Sequence, residues 1–291
     1  METKDIFNKV RYIEIKTRGL SNQIFSGKYH SAFKGTGIAF SDVREYIYGD
    51  DIRSIDWKVT ARYNHPYIKV FEEERELTVI LLIDISGSNN FGTQKQLKSE
   101  LIAELASVLA FSAIHNNDKV GVIFFSSEVE KYISPKKGTS HILRIIRELL
   151  DFKAKNTETR IASALEFLNN VVKKKSVVFL ISDFIDSDFD DVFSITSRKH
   201  DLVALRIQDI KEQYLPTVGL IQIADPETGK KKYIDTSNFN TQQNYKKWYA
   251  EKQNYFNRLC FKNGVDMTDI YTGVDYVKPL MQLFKKREKR F

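Results

Sequence analysis

Two short apolar runs constrain this chain more than any other feature. Residues 77–83 (Leu-Thr-Val-Ile-Leu-Leu-Ile) and 176–182 (Ser-Val-Val-Phe-Leu-Ile-Ser) are rich in β-branched residues and lack the alternation of a half-buried strand. Each therefore reads as a strand covered on both faces, the kind found in parallel sheets sandwiched between helices. The intervening sequence supplies those helices. Residues 94–114 place Leu97, Leu101, Leu105, Val108, Leu109 and Ser112 at three- and four-residue steps, which predicts a helix with Lys98, Glu100 and Glu104 on its other side. Further strands are expected at 119–125, 129–133, 201–207 and 265–270, and further helices at 139–150, 159–172, 190–199, 244–262 and 276–286. The connection before 129–133 is so short that this strand should run antiparallel to its predecessor at an edge of the sheet. Tyr245, Trp248, Tyr249, Phe256, Leu259 and Cys260 recur at helical spacing and predict a core-facing stripe.

The fold class is thus α/β, a mostly parallel, Rossmann-like sheet flanked by helices over residues 78–291. Two pieces stand apart from it. Residues 209–237 hold an inserted β-hairpin, with strands at 219–224 and 231–235 around the reversal Asp225-Pro-Glu-Thr-Gly229. Residues 1–77 form an N-terminal extension of strands and turns. Here charges of both signs are interleaved with aromatics, and Tyr48-Gly49-Asp50-Asp51 and Asn64-His65-Pro66 mark turns. Arg44, Arg53 and Arg62 alternate with Asp42, Asp50, Asp51 and Asp56 at spacings that permit two-pronged ion pairs, with Trp57 as an anchor. The run Glu72-Glu-Glu74 reads as a solvated face.

Several function classes fall away on composition. No apolar stretch approaches the roughly 18 residues of a membrane-spanning helix. The first residues are charged where a secretory signal would be apolar, so cytoplasmic residence is the expectation. One cysteine, Cys260, excludes an intrachain disulfide and a cysteine-rich zinc site, and the five histidines lack metal-ligand spacing. The formal charge of +7 raises the question of nucleic acid, but the basic clusters at 173–175, 230–232 and 285–290 are scattered and read as solvated loops and helix ends. Nucleic acid is therefore not the expected partner.

Chemistry gathers at the ends of the two apolar strands. Directly after the first comes Asp84-Ile85-Ser86-Gly87-Ser88, with a carboxylate and two hydroxyls at alternate positions. The second runs into Asp183, and Thr159 opens the helix preceding it. Ligands in open α/β sheets collect beyond the carboxyl ends of strands. If the two strands are neighbours, Asp84, Ser86, Ser88, Thr159 and Asp183 surround one point with hard oxygen donors, a shell suited to Mg²⁺ or Mn²⁺.

These residues resemble the metal-ion-dependent adhesion site (MIDAS) of the von Willebrand factor A fold, whose pattern is Asp-x-Ser-x-Ser followed by a distant threonine and a distant aspartate. Relatives commonly place glycine before the threonine. Here Asn156-Thr-Glu-Thr159 offers Glu158 instead and a second threonine, Thr157. Upstream, Phe40-Ser-Asp-Val-Arg-Glu-Tyr46, Gly49-Asp-Asp-Ile-Arg-Ser-Ile-Asp-Trp57, Thr60-Ala-Arg62 and Val70-Phe-Glu-Glu-Glu-Arg-Glu76 resemble the signature of the bacterial family called domain of unknown function fifty-eight. That resemblance implies a von Willebrand factor A-like domain and a non-enzymatic adaptor working beside a MoxR-type AAA+ ATPase in assembly or envelope stress. It also implies a bound cation whose open position takes a carboxylate of a protein partner.

The competing reading is a metal-dependent phosphohydrolase. An aspartate ending a first strand, with Asp183 and Asp186 after a later one, resembles haloacid-dehalogenase chemistry. That chemistry needs a carboxylic acid two residues after the first aspartate, where this chain has Ser86. Neither a Gly-x-Ser-x-Gly elbow nor a phosphate-binding glycine loop is present.

Overall fold

A computed structural model describes residues 39–72, 77–92, 96–152, 154–224, 227 and 229–289. The described chain falls into two units that part between Leu77 and Thr78. In the first, β1 (Ala39–Glu45) pairs antiparallel with β2 (Tyr67–Glu72). Between them Asp56 accepts hydrogen bonds from the N–H groups of Lys58 and Val59 and so starts a helix, α1 (Trp57–Tyr63), which Asn64 ends in the left-handed conformation at φ 57°. Strands and turns alone were expected here. Seven residues make barely two turns, too few to show a 3.6-residue period. Arg44 does hold Asp50 with two prongs, at 2.7 and 2.8 Å. Asp51 and Asp56 instead cap helical turns, and Trp57 is 68% exposed rather than an anchor. Residues 1–38, residues 73–76 of the acidic run and most of the Asp225–Gly229 reversal lie outside the described residues.

The second unit is built on a six-stranded sheet. Its strands are β3 (Thr78–Asp84), β4 (Lys119–Phe125), β5 (Val129–Lys136), β6 (Val177–Ser182), β7 (Asp201–Gln208) and, late in the chain, a strand over Asp266–Tyr271. Two more, β8 (Leu220–Ala224) and β9 (Lys231–Asp235), pair antiparallel with each other outside that sheet, which makes Asp266–Tyr271 β10. The order across the sheet is β10-β7-β6-β3-β4-β5, parallel throughout except for β5. The two apolar runs are thus adjacent central strands, β3 and β6, and β6 is buried along its whole length. No described helix is long and apolar enough to cross a membrane.

Helices cover both faces: α2 (Lys98–His115), α3 (Thr139–Asp151), α4 (Ile161–Val171), α5 (Asp190–Lys199), α6 (Phe239–Lys262) and α7 (Val277–Glu288). Ile80, Leu82, Val178, Leu180 and Ala204 point to one face, where they join Leu165 of α4, Phe193 of α5 and Phe256 of α6 in one core. Alternate residues serve the opposite face, where Phe179 meets Phe284 of α7 edge-on at 6.3 Å.

Two expectations about charge need correction. α2 has no solvated stripe at Lys98 and Glu104: Lys98 has no exposed surface and Glu104 is 9% exposed, because this helix lies deep in the unit. The basic C-terminal run is likewise not wholly solvated. Arg287 is buried, with one nitrogen 2.9 Å from Asp266 and another 2.6 Å from Asp201.

Candidate functional site

β3 and β6 are hydrogen-bonded in parallel, with Ile83 beside Ile181, so their last residues end side by side. From there the chain leaves β3 toward β4 on one side and leaves β6 toward β7 on the other. Diverging connections open a crevice at the carboxyl ends of these strands. Asp84 and Asp183 stand at its floor, 1% and 4% exposed.

Asp84 is held rigidly. Its Oδ1 accepts the N–H of Ser86 at 2.9 Å, which closes a tight Asx turn, and its Oδ2 accepts the hydroxyl of Ser182 at 2.6 Å across the strand pair. The chain then enters a 3₁₀ turn (Gly87–Asn90) that turns Ser86 and Ser88 to the same side, their hydroxyl oxygens 3.1 Å apart. Asn89 secures the turn by donating from Nδ2 to the Asp84 carbonyl at 3.0 Å, while its buried Oδ1 has no donor among the described residues. Beside them lies a cavity of about 280 Å³ whose lining includes Asp84, Ser86, Asn89, Ser99 and Thr157.

Asp183 is fixed from the β6 side. Its Oδ1 accepts the N–H of Ile185 at 3.2 Å, and its Oδ2 lies 3.5 Å from the ammonium of Lys98. Phe184, the next residue, adopts the left-handed conformation at φ 57°, an uncommon state for a bulky side chain, and its ring stacks on Phe256 at 3.9 Å. That packing locks the loop which carries Asp183.

The threonines arrive on the loop before α4. The carbonyl of Thr157 accepts the N–H of Gly87 at 2.8 Å, so this loop abuts the serine turn, and the N–H of Arg160 ties it to Ser126 at 2.9 Å. Thr159 does not open α4. The helix begins at Ile161, whose N–H is capped by Asp186 Oδ2 at 2.7 Å. The Thr159 hydroxyl donates to Glu227 Oε1 at 2.7 Å. The structure therefore joins Asp84, Ser86 and Ser88 directly, sets Asp183 on the adjacent strand end, and brings the threonine loop against them through Thr157 while Thr159 engages Glu227.

Sequence reasoning missed four participants: Ser182, Lys98, Glu212 and Glu227. Ser182 was legible as a polar residue ending an apolar strand. Lys98 was not, because its partners are Asp183 and Glu212, the latter at 2.5 Å, both distant in the chain. Burial, reinforced by the charge of Asp183, pushes the Asp84 carboxyl well above its usual range. Burial would lower the Lys98 ammonium, but the charges of Asp183 and Glu212 outweigh it and the shift is upward. Asp183 and Glu212 thus share the ammonium of Lys98, while Asp84, whose carboxyl holds its proton more readily than usual, lies buried beside Asp183.

Among the described residues no three His, Cys, Asp or Glu side chains converge closely enough to hold a cation by themselves. Any cation here would rely on hydroxyl as well as carboxylate oxygen, and the donor set suits a hard divalent ion. Adjacent ligands of an octahedral ion with bonds of about 2.1 Å are about 3 Å apart, and the Ser86–Ser88 hydroxyl pair has that spacing at 3.1 Å.

The family model described as "Protein of unknown function DUF58" matches residues 42–255. This chain belongs to the DUF58 family. Among the relatives of this DUF58 protein, Uncharacterized protein Rv1480 of Mycobacterium tuberculosis is 25% identical over 223 residues, 76% of this chain and 70% of the relative. Of solved structures, BatB from Bacteroides thetaiotaomicron matches with a TM-score of 0.46 at 15% identity, over 73% of this chain and 99% of that one. The mussel byssus protein PTMP1, in a form with a zinc-occupied MIDAS motif, matches with a TM-score of 0.38 at 16% identity, over 46% of this chain and 38% of that one. The DUF58 chain has the α/β architecture expected of a von Willebrand factor A-like domain, a six-stranded, mostly parallel sheet flanked by helices.

Proposed function

We propose that this DUF58 chain is a protein-interaction module whose grip depends on a divalent cation, Mg²⁺ or Mn²⁺, held by Asp84, Ser86, Ser88, Thr159 and Asp183. The observation that carries this reading is the convergence of the Ser86 and Ser88 hydroxyls, 3.1 Å apart, with the buried carboxyl groups of Asp84 and Asp183 at the ends of adjacent strands. When bound, the cation supplies an electrophilic vertex for a carboxylate of the partner. The chain's own residues do the rest. Ser182 and the Ser86 N–H orient Asp84, Lys98 positions Asp183, and the walls of the crevice limit access of water. The partner we propose is a MoxR-type AAA+ ATPase, for which this chain serves as adaptor. Ser86 stands where a phosphohydrolase of the haloacid-dehalogenase kind needs a carboxylic acid, which favours binding over catalysis.

Isothermal calorimetry with Mg²⁺ and Mn²⁺ tests the site. Wild type should bind one ion, while Asp84→Ala and Ser86→Ala, checked for folding by circular dichroism, should bind at least tenfold more weakly. Equal binding by all three rejects the ligand set. Recovery of the ATPase on the immobilised chain with Mg²⁺, and its loss with chelator, is the result expected of the adaptor. Phosphate release from an aryl phosphate that Asp84→Asn abolishes would replace the module with the hydrolase.

A further inference from the structure

The hairpin that leaves the sheet returns to the site. Glu227 lies in the connection between β8 and β9, and both threonines of the site loop donate to it. The Thr159 hydroxyl takes Oε1 at 2.7 Å, and the Thr157 hydroxyl takes the main-chain carbonyl. One glutamate is therefore read twice, at its carboxylate and at its backbone, by the loop that abuts the serine turn.

The element carrying it stands outside the six-stranded sheet. β8 and β9 pair only with each other among the described strands, and the large apolar residues Leu220 and Tyr233 are 70% and 67% exposed. A lone two-stranded hairpin is marginally stable in water, so attachments at its ends decide where it rests. At the base, Gln242 of α6 donates to the Thr236 carbonyl at 2.8 Å and to the Thr217 hydroxyl at 2.7 Å. At the tip stand the two threonine contacts. A base fixed to a long helix and a tip that reaches the threonine loop make a lever between the helix and the site.

We infer that the β8–β9 hairpin is a tethered ligand of the site, with Glu227 standing where an acidic side chain of a partner must dock. This rests on the reading of the site as a carboxylate-binding centre and adds its regulation. The partner displaces a resident glutamate rather than filling an open place. The resident also defines the guest, a glutamate presented on a turn, its carboxylate toward Thr159 and its own carbonyl toward Thr157. Tethering gives Glu227 an effective concentration in the millimolar range, so a free carboxylate competes only when multiple contacts or high local concentration assist it.

The test uses the intact chain with Mn²⁺ and the probe N-acetylglutamate N-methylamide, which has one carboxylate and flanking carbonyls. Wild type, Glu227→Gln, which keeps an acceptor for Thr159 but loses the charge, and Glu227→Ala, which loses both, are compared by calorimetry for Mn²⁺ and by NMR titration for the probe. Hydrogen exchange reports on residues 220–235. The expected result is that all three bind Mn²⁺, that the probe binds Glu227→Ala at least tenfold more tightly than wild type with Glu227→Gln between them, and that hairpin amides exchange faster in Glu227→Ala. Mn²⁺ binding with identical probe affinity and identical hairpin exchange in the three proteins overturns the tethered ligand and leaves the site standing. Absence of Mn²⁺ binding in wild type overturns both.

Discussion

At the level of single residues, the site depends on Lys98 as much as on its carboxylates. A fully buried ammonium is tolerated because Glu212 lies 2.5 Å away and Asp183 3.5 Å away. Removing one member of such a group leaves the others charged and desolvated, which is costlier than never having buried them. Lys98→Met should therefore destabilise the protein by about 3–5 kcal/mol, although methionine fills nearly the same volume. Urea unfolding measures this, and a loss below about 1 kcal/mol would mean that water replaces the ammonium without penalty. Sequence patterning placed Lys98 on the outer side of its helix because periodicity reports only the apolar positions. It is silent about a cation whose counter-ions arrive from the segments that follow β6 and β7.

Among secondary-structure elements, strands and long helices were legible because burial on both faces leaves a distinctive unbroken apolar run, as in β3 and β6, and because α6 and α7 are long enough to show their period. The carboxylates at the strand ends were legible for the same reason, since a charge directly after a buried strand has few places to go. The seven-residue α1, the start of α4 at Ile161 and the choice between Thr157 and Thr159 were not, because they depend on Asp56, Asp186 and Glu227 as hydrogen-bond partners. α7 shows how a basic run can mislead. Arg287 fastens that helix to β7 and β10 through Asp201 and Asp266 while Lys286 remains largely exposed. Arg287→Ala should cost about 3–5 kcal/mol by removing the buried guanidinium that Asp201 and Asp266 share. Hydrogen exchange should show faster amides across 277–288, with α4, on the opposite face of the sheet, unchanged. Uniform acceleration in both helices would mean that α7 has no separate opening.

Over the whole molecule, stability should carry an acid limit set partly by His200. This side chain is 1% exposed, and its Nδ1 accepts the N–H of Ser176 at 3.3 Å, a role open only to the neutral ring. Burial, aided by the charge of Lys199, lowers its pKa to about 4. In the unfolded chain the value is about 6.5. Above that both states are neutral and the residue has no effect. As pH falls from about 6.5 to about 4 the unfolded chain takes up a proton that the folded one refuses, so stability is lost in that window and levels off below it. At pH 5 the loss is about 2 kcal/mol. Urea unfolding at pH 7 and pH 5 should show a decrement about 2 kcal/mol smaller in His200→Asn, which keeps an acceptor but does not titrate. An identical decrement in both proteins would assign the acid sensitivity elsewhere.

Asp84 and Asp183 hang from neighbouring strands whose separation is set by main-chain pairing at about 4.8 Å. Asp84 closes β3 and Asp183 stands one residue past β6, so main-chain pairing fixes the first post while the loop locked by Phe184 fixes the second. The gap between the two acidic posts is therefore set partly by the sheet and partly by an aromatic stack outside it.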